Sequence, residues 1–109
     1  MNQLNQIILE GIAVDNAVTV EIPSLKILFT VETSRTYKGT DGTVKEVSYF
    51  DVEYYGFNVK DLVSEITKGR TIRIVGRLKQ NCWSDSNGEH SKVSVIAEHL
   101  ELKPITKVD

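Results

Sequence analysis

The sequence predicts an all-β domain, a five-stranded antiparallel barrel with one short helix between the third and fourth strands. Most of the 109 residues fall in runs of β-branched and aromatic residues with alternating apolar positions, a pattern typical of half-buried strands. Asp41-Gly42 and Asn87-Gly88 separate pairs of such runs, and these dipeptides favour tight hairpin turns. Only the segment 58–68 changes to helical spacing.

The first three strands are predicted at 7–14, 25–38 and 44–55, with turn residues at 15–16 and 23–24. In the second and third strands every other residue is apolar, so one face of each is expected to pack in the core. These predicted core positions are Ile27, Phe29, Val31, Phe50, Val52 and Tyr54.

The predicted helix has Asn58 as its N-cap, and Gly69 fits the left-handed position beyond its last turn. Its apolar face consists of Val59, Leu62, Val63 and Ile66. The fourth strand is predicted at 71–79 and the fifth at 92–102, joined through a hairpin turn at 86–88. In the fourth strand Ile72, Ile74 and Leu78 are expected to face inward, and Arg73, Arg77 and Lys79 outward.

This order of elements matches the OB-fold, a partly open Greek-key barrel; the alternative on pattern alone is a generic α+β sandwich. Residues 1–103 are assigned to the domain and 104–109 to a disordered C-terminal end. Cys82 is the single cysteine, which excludes an intrachain disulfide and indicates a reducing compartment. Neither a signal peptide nor a membrane-spanning run is visible, so a cytoplasmic protein is expected.

The sequence offers little for catalysis or metal binding. Cys82 and His90 could meet across the second hairpin, but no nucleophile signature surrounds either residue, and a solvated loop histidine is the simpler interpretation. With His99 there are at most three nitrogen or sulfur ligands, and no Cys-x-x-Cys spacing. We therefore expect no enzyme activity, no metal and no cofactor.

The placement of charges matters more than the net charge, which is −2 from 13 basic and 15 acidic side chains. Rings and cations occur together toward strand ends and at outward positions. The rings are Tyr37, Tyr49, Tyr55 and Trp83, and the cations are Arg35, Lys38, Arg73, Arg77 and Lys79. Rings stack on bases and cations contact phosphates, so this set suits single-stranded nucleic acid. The alternative is an ordinary solvated sheet face, and Asp51 and Glu53 would repel phosphates unless nearby cations neutralise them.

Four runs resemble the bacterial single-stranded DNA-binding protein (SSB) family, at 4–11, 29–37, 48–56 and 74–88. The last is the most specific, with a hydrophobic-x-Gly-Arg-Leu run followed by Trp, Asp and Gly. The resemblance covers residues 4 to about 102. It implies base-stacking roles at the family's four aromatic positions, which are Tyr37, Tyr49, Tyr55 and Trp83 here.

The resemblance also implies sequence-independent binding of single-stranded DNA in replication, recombination and repair. It implies a homotetramer built from OB-fold dimers, with a dimer as the smaller alternative. In the dimer, the first strand, at about 4–12, would pair with its counterpart in the partner. The expected interface residues are Leu4, Gln6, Ile8 and Glu10.

The chain departs from the family's pattern at three places. The segment 15–24 is shorter and less basic than the family's loop, and Asp51 stands where the family often has a basic residue. The chain ends at Asp109 without the family's flexible linker and acidic tip, so tail-mediated partners are expected only for a longer native chain. A tail-less relative, primosomal replication protein N, is therefore an alternative, although the aromatic set favours SSB. An OB-fold module that binds only protein is the alternative of a different class.

Overall fold

The computed structural model describes residues 2–105, and strands account for most of them. The strands are β1 (Ile7–Ala13), β2 (Val18–Val20), β3 (Lys26–Gly39), β4 (Gly42–Tyr54), β5 (Thr71–Asp85) and β6 (Gly88–Leu102). The helix α1 (Val59–Leu62) continues as a 3-10 turn at Val63–Glu65. Among residues 2–105, neither helical segment has the length and apolar character needed to cross a membrane.

Five strands close into a barrel in the order β1-β5-β6-β4-β3, and β1 pairs again with β3 through Ile12 and Ala13. This closure confirms the predicted OB-fold, with its short helix before the fourth of the barrel strands. Two details differ from the prediction. The β4–β6 pairing is parallel rather than antiparallel, and β2 adds a short sixth strand beside β3. The Val-Thr-Val sequence of β2 is β-branched throughout, a signal obscured by the turn residues around it.

The core fills the barrel with apolar side chains from the strands and the helical segment. The largest fully buried ones are Ile27, Val31, Val52, Val59, Ile66, Ile72 and Ile74. Two predicted core residues are wrong: Phe50 and Leu78 are 39% and 42% exposed. Both have the inward parity but lie at the edge of the β4–β6 pairing, where the hairpins leave the barrel.

The helix is shorter than the spacing predicts, and Asn58 does not cap it with its side chain. Instead, the Tyr54 hydroxyl donates to Asn58 Oδ1 at 2.9 Å. Beyond the 3-10 turn, the Ala17 N–H donates to the Ile66 carbonyl at 2.9 Å. This hydrogen bond connects the end of the helical segment to the segment after β1. It uses the Ile66 carbonyl, which would accept a backbone hydrogen bond within the helix if the helix continued. Gly69 follows with a φ of 90°, as its left-handed position requires.

Two hairpins carry the functional candidates away from the barrel. The β3–β4 hairpin pairs as far as Gly39 and Gly42, and the β5–β6 hairpin as far as Asp85 and Gly88. Both turns contain a glycine with positive φ, which confirms the two predicted hairpin turns. Since β4 and β6 pair only over Val52–Tyr54 and Val95–Ala97, the hairpins continue beyond these residues as two separate arms. We call them the β3–β4 arm and the β5–β6 arm.

Ordered contacts extend to the end of the predicted domain, where the Lys103 N–H donates to the Thr71 carbonyl at 2.9 Å. Residues 104 and 105 have no regular structure. The rest of the predicted disordered end, 106–109, lies outside the described residues.

Candidate nucleic-acid interface

Strand register assigns most of the candidate rings and cations to one surface. Directly opposite residues share a face of a sheet and neighbours alternate, so the residues between core positions point outward. We call the exterior of β5, β6, β4 and β3 the outer face. It carries Tyr49, Arg77, Lys79 and Trp83, and Tyr55 joins it directly after β4. Lys38 on β3 and Arg73 on β5 have the same outward parity, so the outer face holds seven of the nine candidate residues, with Arg73 at its far end beside β1.

Tyr37 and Arg35 lie on the opposite face of the β3–β4 arm. Glu32 of β3 is directly opposite Tyr49 and therefore shares its face, and Arg35 and Tyr37 are an odd number of residues from Glu32 along the same strand. The Arg35 Cζ lies 5.2 Å from the centroid of the Tyr37 ring, a cation–π contact. Arg35 Nε also lies 3.5 Å from Glu46 Oε2. This pair forms a separate aromatic-cationic surface on the arm.

The other cations divide into paired and unpaired ones. Arg73 Nε lies 3.3 Å from Glu10 Oε2 beside β1, away from the arms. Within the described part of the chain, no ion pair includes Lys38, Arg77 or Lys79. These three side chains can therefore contact an anionic ligand without first losing a carboxylate partner.

Asp51 and Glu53, the two outer-face carboxylates expected to repel phosphates, are each paired with a lysine within the chain. Asp51 is paired with Lys92, and its Oδ1 accepts from the Thr30 hydroxyl at 2.8 Å. The Lys92 ammonium, more than the Thr30 hydroxyl, holds the pKa of Asp51 below its usual range. The repulsion that Asp51 would exert on phosphates is thus offset locally.

Glu53 is nearly buried, which corrects the expectation that it is exposed. Its Oε1 accepts from the Lys26 ammonium at 2.9 Å and from the Tyr55 hydroxyl at 3.3 Å. The hydrogen bond to Glu53 is also the main reason that the pKa of Lys26 is raised. Lys26 Nζ lies 5.8 Å from the centroid of the Tyr55 ring. Tyr55 is therefore held on the outer face by a hydrogen bond and a cation.

A groove of about 560 Å³ lies between these two ion pairs and the base of the β5–β6 arm. Its polar walls include Lys26, Thr30, Asp51, Glu53, Asn81, Lys92 and Ser94. The site predicted from sequence lacks Lys26, Lys92 and Asn81, because their positions depend on contacts between strands distant in the chain. The outward parity of each was the available signal.

Trp83 stands opposite His90 on the β5–β6 arm, and the two rings are stacked with centroids 5.5 Å apart. His90 Nε2 lies 2.9 Å from Asp85 Oδ1. The cross-strand partner of Cys82 is Ser91 rather than His90, although Cys82 and His90 line one shallow hollow. His90 lies within β6, which begins at Gly88, so it is not in the loop where the sequence-based interpretation placed it.

The expected dimer strand has an open edge. β1 pairs with β5 along Ile7–Ile12, but with β3 only at its end, so its other edge has no strand partner among residues 2–105. Leu4 and Ile8 are 92% and 72% exposed, and Gln6 is exposed beside them. Glu10 is the exception, since it contacts Arg73 within the chain.

A closed five-stranded barrel with rings, unpaired cations and a polar groove on its outer face defines an OB-fold of the class that binds oligonucleotides or oligosaccharides. The chain belongs to the Single-strand binding protein family, whose model matches residues 4–103.

Individual relatives agree with this assignment. The chain is 33% identical over 102 residues to the single-stranded DNA-binding protein of Aquifex aeolicus (strain VF5). The aligned segment covers 91% of this chain and 69% of that relative. It is also 30% identical over 102 residues to the single-stranded DNA-binding protein of Helicobacter pylori. This aligned segment covers 90% of the chain but only 57% of that relative's length.

A similar solved structure is the Plasmodium falciparum SSB in complex with ssDNA. The TM-score is 0.82 over 95% of this chain and 98% of that one. At 17% sequence identity, the likeness bears on the fold alone.

Proposed function

We propose that this chain binds single-stranded DNA without sequence preference, by stacking bases on rings and pairing phosphates with cations. The observation that carries the proposal is the outer face itself. Tyr49, Tyr55 and Trp83 are 63%, 40% and 48% exposed there, on the same face as Arg77 and Lys79, which have no ion-pair partner among residues 2–105. An ordinary solvated sheet face has no need to align exposed rings with unpaired cations. Membership of the family and the names of the relatives support the same function.

Each ring has a defined part in this proposal. A base stacked on an exposed ring contributes about 1–3 kcal/mol, and every base has a flat face, so stacking is sequence-tolerant. Arg77, Lys79 and Lys38 take the phosphates. A strand that passes around the β3–β4 arm also reaches Tyr37, with Arg35 beside it.

The biological setting follows from the family resemblance. We infer a role in protecting single-stranded DNA during replication, recombination and repair, in the cytoplasm, by binding rather than catalysis. We also infer that β1 pairs with β1 of a second copy, because its open edge is flanked by exposed apolar side chains. Two such dimers would make the homotetramer.

The test is a titration with oligo-dT at low and moderate salt, followed by the fluorescence of Trp83, the only tryptophan. We expect strong quenching that weakens with salt, with a log–log slope of about −0.7 per phosphate contacted. Trp83→Ala should weaken binding by about 1–3 kcal/mol, measured by the anisotropy of a labelled oligonucleotide, whereas Trp83→Phe keeps a ring and most of the affinity.

Absence of quenching in the folded protein would contradict the proposal. The rings would then be structural, and a module that binds only protein would be the better hypothesis. A salt-independent affinity would remove Arg77 and Lys79 from the interface.

A further inference from the structure

One face of Trp83 is covered by an imidazole. Trp83 and His90 are direct cross-strand partners near the tip of the β5–β6 arm, and their ring planes differ by 25°. Trp83 as a whole is still 48% exposed. His90 therefore supports the indole from one side and leaves area for a base.

Asp85 fixes the imidazole in this place. Its Oδ1 lies 2.9 Å from His90 Nε2 and also accepts from the Asn87 N–H of the turn at 2.8 Å. When His90 is neutral, Nε2 must carry the hydrogen that it donates to Asp85, so Nδ1 has the free lone pair. A proton added at Nδ1 makes an imidazolium without breaking the bond to Asp85.

The charged and titratable groups around His90 come from both strands of the β5–β6 arm. β5 contributes the Asp85 carboxylate and the Cys82 thiol. β6 contributes Glu89, in the same shallow hollow, and Lys92, which is held by Asp51. A DNA strand stacked on Trp83 would add phosphates to this acidic surrounding.

We propose that His90 is a proton-dependent part of the single-strand binding site: protonated, it is a cation stacked beneath Trp83 that attracts the DNA backbone. This inference rests on the proposed function. Because the coupling between two ligands is reciprocal, DNA binding takes up a proton at His90 and acid tightens DNA binding. Histidine is the side chain that ordinarily changes charge between about pH 5 and 8.

The experiment measures oligo-dT affinity by anisotropy across about pH 5–8, in which thymine itself takes up no proton. For the wild type we expect affinity to rise as the pH falls, by up to about fivefold, as for one exposed ion pair. The magnitude of the salt slope should rise by up to about 0.7, one further phosphate contact. His90→Phe keeps a stacked ring without a charge, so its affinity should not change with pH.

Two further variants separate the charge from the ring. His99→Gln removes the other histidine, which is exposed elsewhere on β6, and should leave the pH dependence as in the wild type. His90→Arg supplies a permanent cation that stacks on an indole, and should bind at pH 8 as tightly as the wild type does in acid.

A wild type without pH dependence, or a His90→Phe variant that retains it, overturns the role of His90 while quenching of Trp83 still supports single-strand binding. Absence of quenching at every pH overturns both the proposed function and this inference.

Discussion

Lys92 of β6 is ion-paired with Asp51 of β4 just beyond Val52 and Val95, where these two strands stop pairing. The ion pair therefore fastens the two arms together at their base, on the outer face. It also occupies a lysine that would otherwise be available to a phosphate. Asp51 thus has two effects, since it joins the arms and competes with DNA for Lys92.

Replacing Asp51 should separate these effects. We expect Asp51→Asn to bind oligo-dT more tightly, because one negative charge leaves the outer face and Lys92 becomes free to contact phosphate. The log–log salt slope should steepen by about 0.7, the value for one further phosphate. Anisotropy titrations at several salt concentrations measure both quantities.

Glu65→Gln is the matched control, because it changes the net charge equally at an exposed residue of the 3-10 turn. It should leave the salt slope unchanged. An Asp51→Asn variant with wild-type affinity and slope would mean that DNA does not pass Lys92.

The same ion pair makes stability depend on acid. The folded-state pKa of Asp51 is lowered, chiefly by Lys92 and next by Thr30. The pair therefore stabilises the fold above the unfolded-state pKa of about 3.9, and this contribution is lost as the pH falls through the lower folded value. The pair is half exposed, so solvent screening keeps its contribution below about 1 kcal/mol.

Urea denaturation at neutral and acidic pH checks this sign. The wild type should be more stable than Asp51→Asn at neutral pH, and the difference should disappear in acid. A difference that stays constant across this range would assign the effect to packing rather than to ionisation.

The sequence was sufficient where the signal is local. Ile27, Phe29 and Val31 alternate within one strand, and their burial follows from that alternation alone. Likewise, the parity of Arg77 and Trp83 placed them on one face, because β5 contains no inserted residue: the register shift opposite Val75 and Gly76 is taken up in β6.

Features set by distant contacts were not predictable. The burial of Glu53 depends on Lys26, which is 27 residues away in the chain. The parallel β4–β6 pairing joins strands that are not consecutive in the chain, so no turn sequence indicates it. Similarly, the helix ends early because Ile66 bonds to Ala17, a contact that helical spacing cannot reveal.

The backbones of β5 and β6 approach each other closely at Gly76. A Cβ at this position would overlap the Ile96 carbonyl oxygen of the neighbouring strand. We therefore expect Gly76→Ala to destabilise the fold by about 1–3 kcal/mol, the usual range for inserting an atom into a packed site. Gly39→Ala is the control, since the nearest atom to its Cβ would be in the movable Val44 side chain on the β3–β4 arm, with the Gly42 carbonyl oxygen farther away at 3.3 Å. Equal unfolding midpoints for the two variants would contradict the strain argument.

Assembly can be tested at the open edge of β1. A two-fold axis would bring β1 of one copy against β1 of another, so a lysine at Ile8 would lie close to its own counterpart. We expect Ile8→Lys to lower the mass measured by light scattering to that of a smaller species, at protein concentrations where the wild type is tetrameric or dimeric.

Ile22→Lys is the matched control, because Ile22 is 84% exposed in the loop between β2 and β3, and its assembly should be unchanged. Oligo-dT binding measured in parallel separates assembly from the stacking site, since Trp83 lies on the distant β5–β6 arm. A wild type that is monomeric, or an Ile8→Lys variant of unchanged mass, would remove β1 from the interface. A wild-type dimer that quenches with oligo-dT would favour the smaller assembly, in which the outer faces of two barrels form the whole binding surface.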